Sequence, residues 1–271
     1  LFSSQRVGQI PGDVVFRTEN LSYRDGNQRI RLENVSISVR AGEIVGIAGV
    51  EGNGQLDLVN CVMGMSKPFQ GKIVVNNRDL TNAEILDRRK FISFVSQDRS
   101  KMGASVKDSI VDNVRMTHHR LNPKFTHWKG LLLNEVYSRQ FTAQIEENFS
   151  VVMGSVDNEF RSLSGGNQQK VILGRELMLD TPFILLDQPT RGLDVGSIEY
   201  VHETILKMRG QNRAILLISA DLEELFRIAD RILVIFRGKI AADMPIDQTN
   251  IEKVGYLMLE GREKINAAKA D

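Results

Sequence analysis

The stretch Leu163-Ser164-Gly165-Gly166-Asn167-Gln168-Gln169-Lys170 decides the fold. It places a serine and two glycines directly before a helical pattern that carries Leu173 and Leu177 on one face. Such a turn leaves a hydroxyl and free backbone N–H groups at a helix N-terminus, where they can contact a phosphate. A plain capped helix would need only the serine. The two glycines and three following amides therefore favour a ligand-binding role.

A glycine-rich loop lies upstream of this stretch. An apolar segment, Glu43–Ala48, predicts a strand; Gly49, Gly52, Asn53 and Gly54 follow, and then a helical pattern. Glycines at this spacing let successive N–H groups point at phosphate oxygens, and the helix N-terminus adds positive potential. The full phosphate-binding pattern also needs a lysine and a hydroxyl, where this chain has Gln55 and Leu56. On this evidence alone, a purely structural strand-to-helix turn stays open.

A carboxylate follows a third apolar segment. Phe183–Leu186 predicts a buried strand that ends in Asp187, and parallel α/β sheets bind ligands at this edge. Further apolar strands are predicted at Ala214–Ser219 and Ile232–Phe236, with helical patterns between them. Earlier in the chain, alternation at Val35, Ile37 and Val39 predicts a half-buried strand, and the spacing of Tyr137, Phe141 and Ile145 predicts one helix face. Strands alternating with helices predict a mostly parallel sheet covered on both faces.

Composition excludes several classes of protein. The 271 residues carry 35 basic and 34 acidic side chains, so binding of nucleic acid through bulk charge is not expected. One cysteine, Cys61, excludes an intrachain disulfide and a multi-cysteine metal site. No apolar run reaches the roughly 18 residues of a spanning helix. The chain begins without methionine, and we expect it to be a piece of a longer polypeptide.

The three stretches, in this order, resemble the ATP-binding domain of ABC transporters over about residues 13–245. Within that superfamily the chain is similar to the second, C-terminal ATP-binding half of importers for ribose- and galactose-type sugars or nucleosides. The resemblance implies a P-loop NTPase-type α/β fold: a mostly parallel sheet with an antiparallel β subdomain and an inserted α-helical subdomain. The expected boundaries are a linker at 1–12, an ATP-binding core at 13–96 and 160–245, a helical subdomain with the signature region at 97–159, and a C-terminal extension at 246–271.

The resemblance also implies roles for individual residues, with ATP and Mg²⁺ as cofactors. Tyr23 would stack on adenine, although an ordinary strand tyrosine stays open. Gln97 would be a hinge glutamine near Mg²⁺, although an ordinary surface glutamine stays open. Asp187 and Gln97 would hold a weakly bound Mg²⁺. The other implied nucleotide-binding positions are Gly49, Gly52, Asn53, Gly54, Gln55, Leu56 and Asp187. The serine-glycine turn would act in a partner's site through Ser164, Gly165, Gly166, Asn167 and Gln168.

Four departures from the family pattern affect one site. Gln55 replaces the lysine, Leu56 the Mg²⁺-binding hydroxyl, Gln188 the catalytic glutamate after Asp187, and Ala220 the switch histidine. An amide cannot accept a proton, and loss of a general base costs about 10²–10⁴ in rate. A single change could be drift or an engineered trap at Gln188. Four together predict a degenerate site, so this half alone should be inactive or very slow.

These inferences predict the ATP-binding half of a sugar or nucleoside importer, with a slight preference for nucleosides. It would pair head to tail with a second ATP-binding half, expected in the same polypeptide, and drive a transmembrane permease served by an extracytoplasmic binding protein. It would lie on the cytoplasmic face of the membrane and bind no nucleic acid. Two alternatives stay open: a non-catalytic nucleotide-gated regulatory clamp, and a soluble ABC protein acting on ribosomes or nucleic acid.

Overall fold

A computed structural model describes residues 8–261, which divide into two compact units. The first unit contains residues 8–92, 182–188 and 202–261, and the second contains Ser93–Thr181 and Pro189–Val201. Most of the predicted linker (1–7) and the end of the predicted C-terminal extension (262–271) lie outside the described residues.

The described strands and helices follow in chain order. The strands are β1 (Val14–Arg24), β2 (Ile30–Arg40), β3 (Ile44–Ala48), β4 (Gln70–Val75), β5 (Arg78–Asp79), β6 (Ile92–Val95), β7 (Thr126–His127), β8 (Leu132–Leu133), β9 (Phe183–Asp187), β10 (Ala214–Ile218), β11 (Arg231–Phe236) and β12 (Lys239–Pro245). The helices are α1 (Gln55–Met63), α2 (Ile85–Arg88), α3 (Ile110–His118), α4 (Glu135–Asn148), α5 (Gly165–Leu177), α6 (Val195–Gly210), α7 (Leu222–Ile228) and α8 (Ile251–Glu260).

A mostly parallel sheet forms the centre of the first unit. The five strands of this sheet that belong wholly to the first unit lie in the order β12-β11-β3-β10-β9, and among these described strands only β12 runs antiparallel to its neighbour. Every residue of β3, β9 and β10 is buried, as their near-continuous apolar sequences predict. Ile47 of β3 lies beside Ile218 of β10, which in turn lies beside Asp187 of β9. The carboxyl ends of these three strands therefore coincide.

An antiparallel sheet of order β2-β1-β4-β5 completes the first unit. Val35, Ile37 and Val39 are buried on β2, which confirms the predicted alternation. The ring of Phe16 on β1 stacks on that of Phe183 on β9, with centroids 4.1 Å apart. This contact joins the antiparallel sheet to the parallel one.

The second unit is built on α3, α4 and α5. Phe141 and Ile145 of α4 are buried, in agreement with the predicted helix face. A Cβ on Gly174 of α5 would lie 2.6 Å from Ile145 Cγ2, so glycine lets the two helices approach closely. Because α5 packs on α3 and α4, the second unit extends to Thr181. The helical subdomain expected at 97–159 stays a prediction. None of the helices within residues 8–261 is long and apolar enough to cross a membrane.

Candidate functional site

The glycine-rich loop connects β3 to α1 in the first unit. A Cβ on Gly49 would lie 2.7 Å from Ile235 Cγ2 and 2.8 Å from Ile235 O, so no larger residue fits there. Gly52 and Gly54 have φ of +89° and +111°, which L residues rarely adopt. Gly54 is also the N-cap of α1, and no side chain among residues 8–261 caps this helix. The loop thus presents an uncapped helix N-terminus, a position that favours anions.

Gln55 and Leu56 open α1. The Gln55 amide folds back over the loop, where Nε2 donates a hydrogen bond to Val50 O at 3.1 Å. Its Oε1 is buried and has no hydrogen-bond partner among residues 8–261. Leu56 is 57% exposed and offers only hydrocarbon. Neither side chain supplies a positive charge or a metal-binding oxygen of the kind a phosphate loop ordinarily uses.

Asn53 fastens the loop to the turn between β11 and β12. Its Oδ1 accepts a hydrogen bond from Arg237 N at 2.9 Å, and its carbonyl accepts one from Gly238 N at 2.8 Å. Gly238 O in turn accepts a hydrogen bond from Glu33 N of β2 at 2.9 Å. Sequence reasoning did not connect this turn with the loop.

Asp187, Gln188 and Ala220 lie at the same edge of the sheet as the loop. Asp187 ends β9 and is buried, and Gln188 follows with a φ of +51°. The Gln188 amide N–H donates to Ile218 O at 2.9 Å, and its side-chain Oε1 accepts a hydrogen bond from Ala220 N at 3.2 Å. Gln188 is therefore held by the backbone after β10, and Ala220 offers no side-chain proton acceptor.

Tyr23 lies in the same unit, half-buried on β1. It is opposite Leu32 of β2, and Leu32 Cδ2 lies 3.0 Å from the position that a Cβ on Gly54 would take. The strand pair that holds Tyr23 thus packs against the glycine-rich loop. Its stacking role stays a prediction.

The serine-glycine turn begins α5 in the second unit. Ser164 is the exposed N-cap, and its Oγ accepts hydrogen bonds from Asn167 N at 3.4 Å and Asn167 Nδ2 at 3.1 Å. Gly165 is exposed as well. Asn167 Oδ1 accepts a hydrogen bond from Val152 N, and Gln168 Nε2 donates to Leu163 O. The start of the helix is thus fixed by its own amides and open on the surface of the unit.

Gly166 packs against the start of α6. A Cβ on Gly166 would lie 2.2 Å from Ser197 Oγ, which donates to Asp194 Oδ2 at 2.7 Å. Hydrogen bonds from the Ser197 hydroxyl and backbone hold the pKa of the Asp194 carboxyl below its usual value. Sequence reasoning missed Ser197. An Asp followed three residues later by a serine at a helix start could have indicated this cap.

Gln97 also belongs to the second unit and is half-buried. The next residue, Asp98, accepts hydrogen bonds from Ser100 N and Lys101 N, which contribute to lowering its pKa. Each unit therefore collects its own part of the predicted site. The first holds the loop, Asp187 and its neighbours, and Tyr23, and the second holds Gln97 and residues 164–168. Within residues 8–261 no group of three or more His, Cys, Asp or Glu side chains is arranged to hold a metal.

Comparison with known proteins identifies relatives that are named as import ATP-binding proteins. The chain is 34% identical to the nucleoside import ATP-binding protein NupA of Lactococcus lactis, over 96% of this chain and 51% of that protein. It is 37% identical to the glucose import ATP-binding protein TsgD13 of Haloferax volcanii, over 100% of this chain and 49% of the relative. The guanosine import ATP-binding protein NupO of Bacillus subtilis is 36% identical, with 100% and 52% covered. The chain thus spans about half the length of these curated relatives.

Solved structures match the fold. A nucleotide-free ATP-binding cassette from an ABC transporter aligns with a TM-score of 0.73 at 25% identity, over 96% of each chain. A dimeric cassette in a post-hydrolysis state, bound to ADP and phosphate, aligns with a TM-score of 0.72 at 22% identity, over 85% of this chain and 98% of that one. Residues 32–191, more than half of the chain, match the ABC transporter family. The chain therefore belongs to that family and has the α/β fold of its ATP-binding cassettes, as the sequence predicted.

Proposed function

We propose that this chain is one ATP-binding half of an importer for sugars or nucleosides, peripheral on the cytoplasmic membrane face. It pairs head to tail with a second ATP-binding half and is coupled to a permease served by an extracytoplasmic binding protein. Relatives named for nucleoside, glucose and guanosine import support this proposal, and each is about twice the length of this chain. ATP supplies the closing and reopening of the paired halves, through binding and then hydrolysis.

The chain's own site binds nucleotide and does not hydrolyse it at an appreciable rate. The observation that carries this proposal is the hydrogen bond from Ala220 N to Gln188 Oε1 at 3.2 Å. A glutamine there cannot take a proton from water, and its oxygen already accepts a donor from the backbone. Ala220 stands where the family has a histidine, so no imidazole is present to contact the terminal phosphate. Loss of a general base lowers the rate by about 10²–10⁴.

The loop fits phosphate better than it fits Mg²⁺. The uncapped start of α1 and the left-handed glycines support an anion site. A metal ion would find hydrocarbon at Leu56, so Asp187 and Gln97 remain as the protein's own ligands. The lost lysine removes a charge-assisted hydrogen bond of about 1.5–3 kcal/mol. We therefore expect weakened nucleotide affinity and weakened Mg²⁺ dependence.

The part of the family pattern that this chain keeps unchanged is the serine-glycine turn at the start of α5. Ser164 and Gly165 are exposed, so a nucleotide held by another ATP-binding half can reach their hydroxyl and N–H groups. In this division of labour the chain completes its partner's site, while its own loop sets a conformation. Hydrolysis then depends on Ser164 even though the chain's own site is silent.

The test is ATPase activity of the complete paired assembly carrying Ser164→Arg. An arginine at the N-cap fills the space in front of the helix start, and we expect turnover to fall at least tenfold. Ser155→Arg, an exposed serine of the same unit, is the matched control and should leave turnover unchanged. Undiminished turnover in the Ser164→Arg assembly would refute the division of labour.

A non-catalytic nucleotide-gated clamp is the second candidate, favoured by the same Gln188–Ala220 contact. The two candidates differ in the paired assembly. A clamp predicts full turnover in the Ser164→Arg assembly, together with nucleotide-dependent changes in association of the chain. Robust hydrolysis by the purified chain alone would contradict both candidates.

A further inference from the structure

A small β-hairpin projects from the second unit. Thr126 and His127 of β7 pair with Leu133 and Leu132 of β8, and a tight turn that begins at Trp128 joins the strands. Trp128 has a φ of +49°, a conformation that turns the chain sharply at the tip. Nothing in the proposed nucleotide chemistry uses this hairpin.

The tip carries a concentration of exposed apolar side chains. Trp128 is 77% exposed, Leu131 79% and Leu132 55%, and Leu133 beside them is exposed as well. A single exposed leucine is ordinary, whereas a tryptophan and three leucines within six positions form a patch that indicates a contact surface.

The base of the hairpin is fixed to the helices of the second unit. The buried ring of Phe125 stacks on His118 and meets Tyr137 and Phe141 edge-on, each at a centroid distance of 5.0 Å. Asn134 N donates to Phe125 O at 2.8 Å, which closes the hairpin at its open end. A rigid base therefore presents the apolar tip outward.

The segment that contains the hairpin carries only positive formal charges. Between Asp112 and Glu135, residues 113–134 contain no aspartate or glutamate. Arg115 is paired with those two flanking carboxylates. Arg120 and Lys124 are exposed and form no ion pair within residues 8–261. The whole chain carries a net charge of only +1, so this concentration of positive charge is local.

We propose that the hairpin docks on the surface of an anionic phospholipid bilayer. Tryptophan favours the boundary between headgroups and acyl chains, where Trp128, Leu131 and Leu132 would insert. Arg120 and Lys124 would lie among the anionic headgroups. Nucleic acid would match the cations but leave the leucines in water, and an apolar protein surface would not require a segment without acidic residues. The proposal is independent of the nucleotide site.

Trp128 is the only tryptophan of the chain, so its fluorescence reports directly on this contact. The purified chain is titrated with vesicles of phosphatidylcholine and phosphatidylserine, and with phosphatidylcholine alone. We expect the emission to shift to the blue and brominated acyl chains to quench it, on anionic vesicles only, with binding that weakens as salt rises. An emission spectrum that stays that of a water-exposed tryptophan on anionic vesicles would overturn the proposal, as would equal binding to neutral vesicles.

Variants separate the two contributions. The double variant Leu131→Ser with Leu132→Ser should lower vesicle affinity on the order of tenfold, because it removes inserted apolar area. Arg120→Gln with Lys124→Gln should lower affinity on the order of tenfold for anionic vesicles and flatten the salt dependence. Val152→Ser, an exposed apolar residue elsewhere in the same unit, is the matched control and should bind like the wild type.

All these positions are exposed, so thermal unfolding should be unchanged and nucleotide binding unaffected. Equal losses of vesicle binding in Val152→Ser and in the leucine variant would contradict a specific hairpin contact. An emission shift that requires a membrane protein in the vesicles would assign the hairpin to a protein partner and overturn the proposal. Failure of ATP binding would contradict the proposed function and leave the vesicle results standing.

Discussion

Gly166 lies where the first turn of α5 meets Ser197, and the contact leaves no room for a methyl group. In Gly166→Ala the new Cβ would lie 2.2 Å from Ser197 Oγ, which is held by Asp194 at 2.7 Å. The serine must turn away and lose that hydrogen bond. We expect the free energy of unfolding to fall by about 1–3 kcal/mol, as for other overpacked sites. Urea unfolding of the wild type and of Gly166→Ala measures this difference in the free energy of unfolding.

Gly165 provides the matched control for this prediction. A Cβ there would have no neighbour closer than Arg99 Nη2 at 3.9 Å. Alanine is favoured over glycine in a helix by up to about 1 kcal/mol, so Gly165→Ala should be neutral or stabilising. Adding Ser197→Ala to Gly166→Ala should recover part of the loss. If the two glycine variants lose equal stability, the Ser197 contact is not the cause.

The variant Gln188→Glu tests whether the missing glutamate alone makes the nucleotide site inactive. In Gln188→Glu the carboxylate can still accept the hydrogen bond from Ala220 N, but Gln55, Leu56 and Ala220 remain unchanged. We expect no measurable steady-state ATPase activity from this single variant of the purified chain. The combination Gln55→Lys, Leu56→Ser, Gln188→Glu and Ala220→His should gain activity. If the single variant turns over as fast as the combination, the other three changes do not matter.

At the scale of elements, Arg88 holds the end of the loop helix. The last turn of α1 has no basic residue of its own, and the buried Arg88 donates from Nη1 to Cys61 O at 2.9 Å and to Val62 O at 2.8 Å. Its Nε and Nη2 donate to Ala83 O and Thr81 O. Arg88→Met should therefore cost at least about 3 kcal/mol, because four carbonyls lose a charged donor.

Two further variants test whether the planar donors of Arg88 cause this loss of stability. Arg88→Lys should recover only part of the stability, because an ammonium cannot reproduce the planar fork of donors. Lys90→Met removes an exposed ion pair with Asp87 in the same segment and should leave the free energy of unfolding almost unchanged. Chemical unfolding of the three proteins ranks them. A loss in Arg88→Met no larger than in Lys90→Met would refute the capping role.

At the scale of the whole molecule, Cys61 reports on stability at high pH. It is the only cysteine, and burial raises its pKa from 9.0 to about 12. Its folded pKa lies above its unfolded value, so its contribution to stability is complete below pH 9 and is lost as pH rises towards 12. Over that pH range the Tm of the wild type should fall more steeply than the Tm of Cys61→Ala. Parallel curves would contradict the burial effect.

Much of the fold could be predicted because local patterns encode it. The alternation in β2 and the apolar runs of β3 and β9 each follow from a single segment. The order of the strands does not, because β10 enters between β3 and β9 from a distant part of the chain. The carboxyl edge was expected for Asp187 because parallel sheets bind ligands there, but the strand order that brings it near the loop follows from no single segment.

The missed contacts all join distant segments. Asn53 and Arg237 are 184 positions apart, and no periodicity connects them. Ser197 and Arg88 were not predicted from the sequence because their roles depend on their contacts. Ser197 contacts a glycine on α5, and Arg88 donates hydrogen bonds to the carbonyls that end α1.

The double attachment of Asn53 to the β11–β12 turn has a consequence for genetics. A random mutagenesis screen for defective nucleotide binding should recover lesions in that turn as well as in the loop. Second-site suppressors of a damaged Asn53 should arise there too. Over evolutionary time, positions 53, 237 and 238 should change together, as parts of one inherited unit that the primary structure keeps far apart.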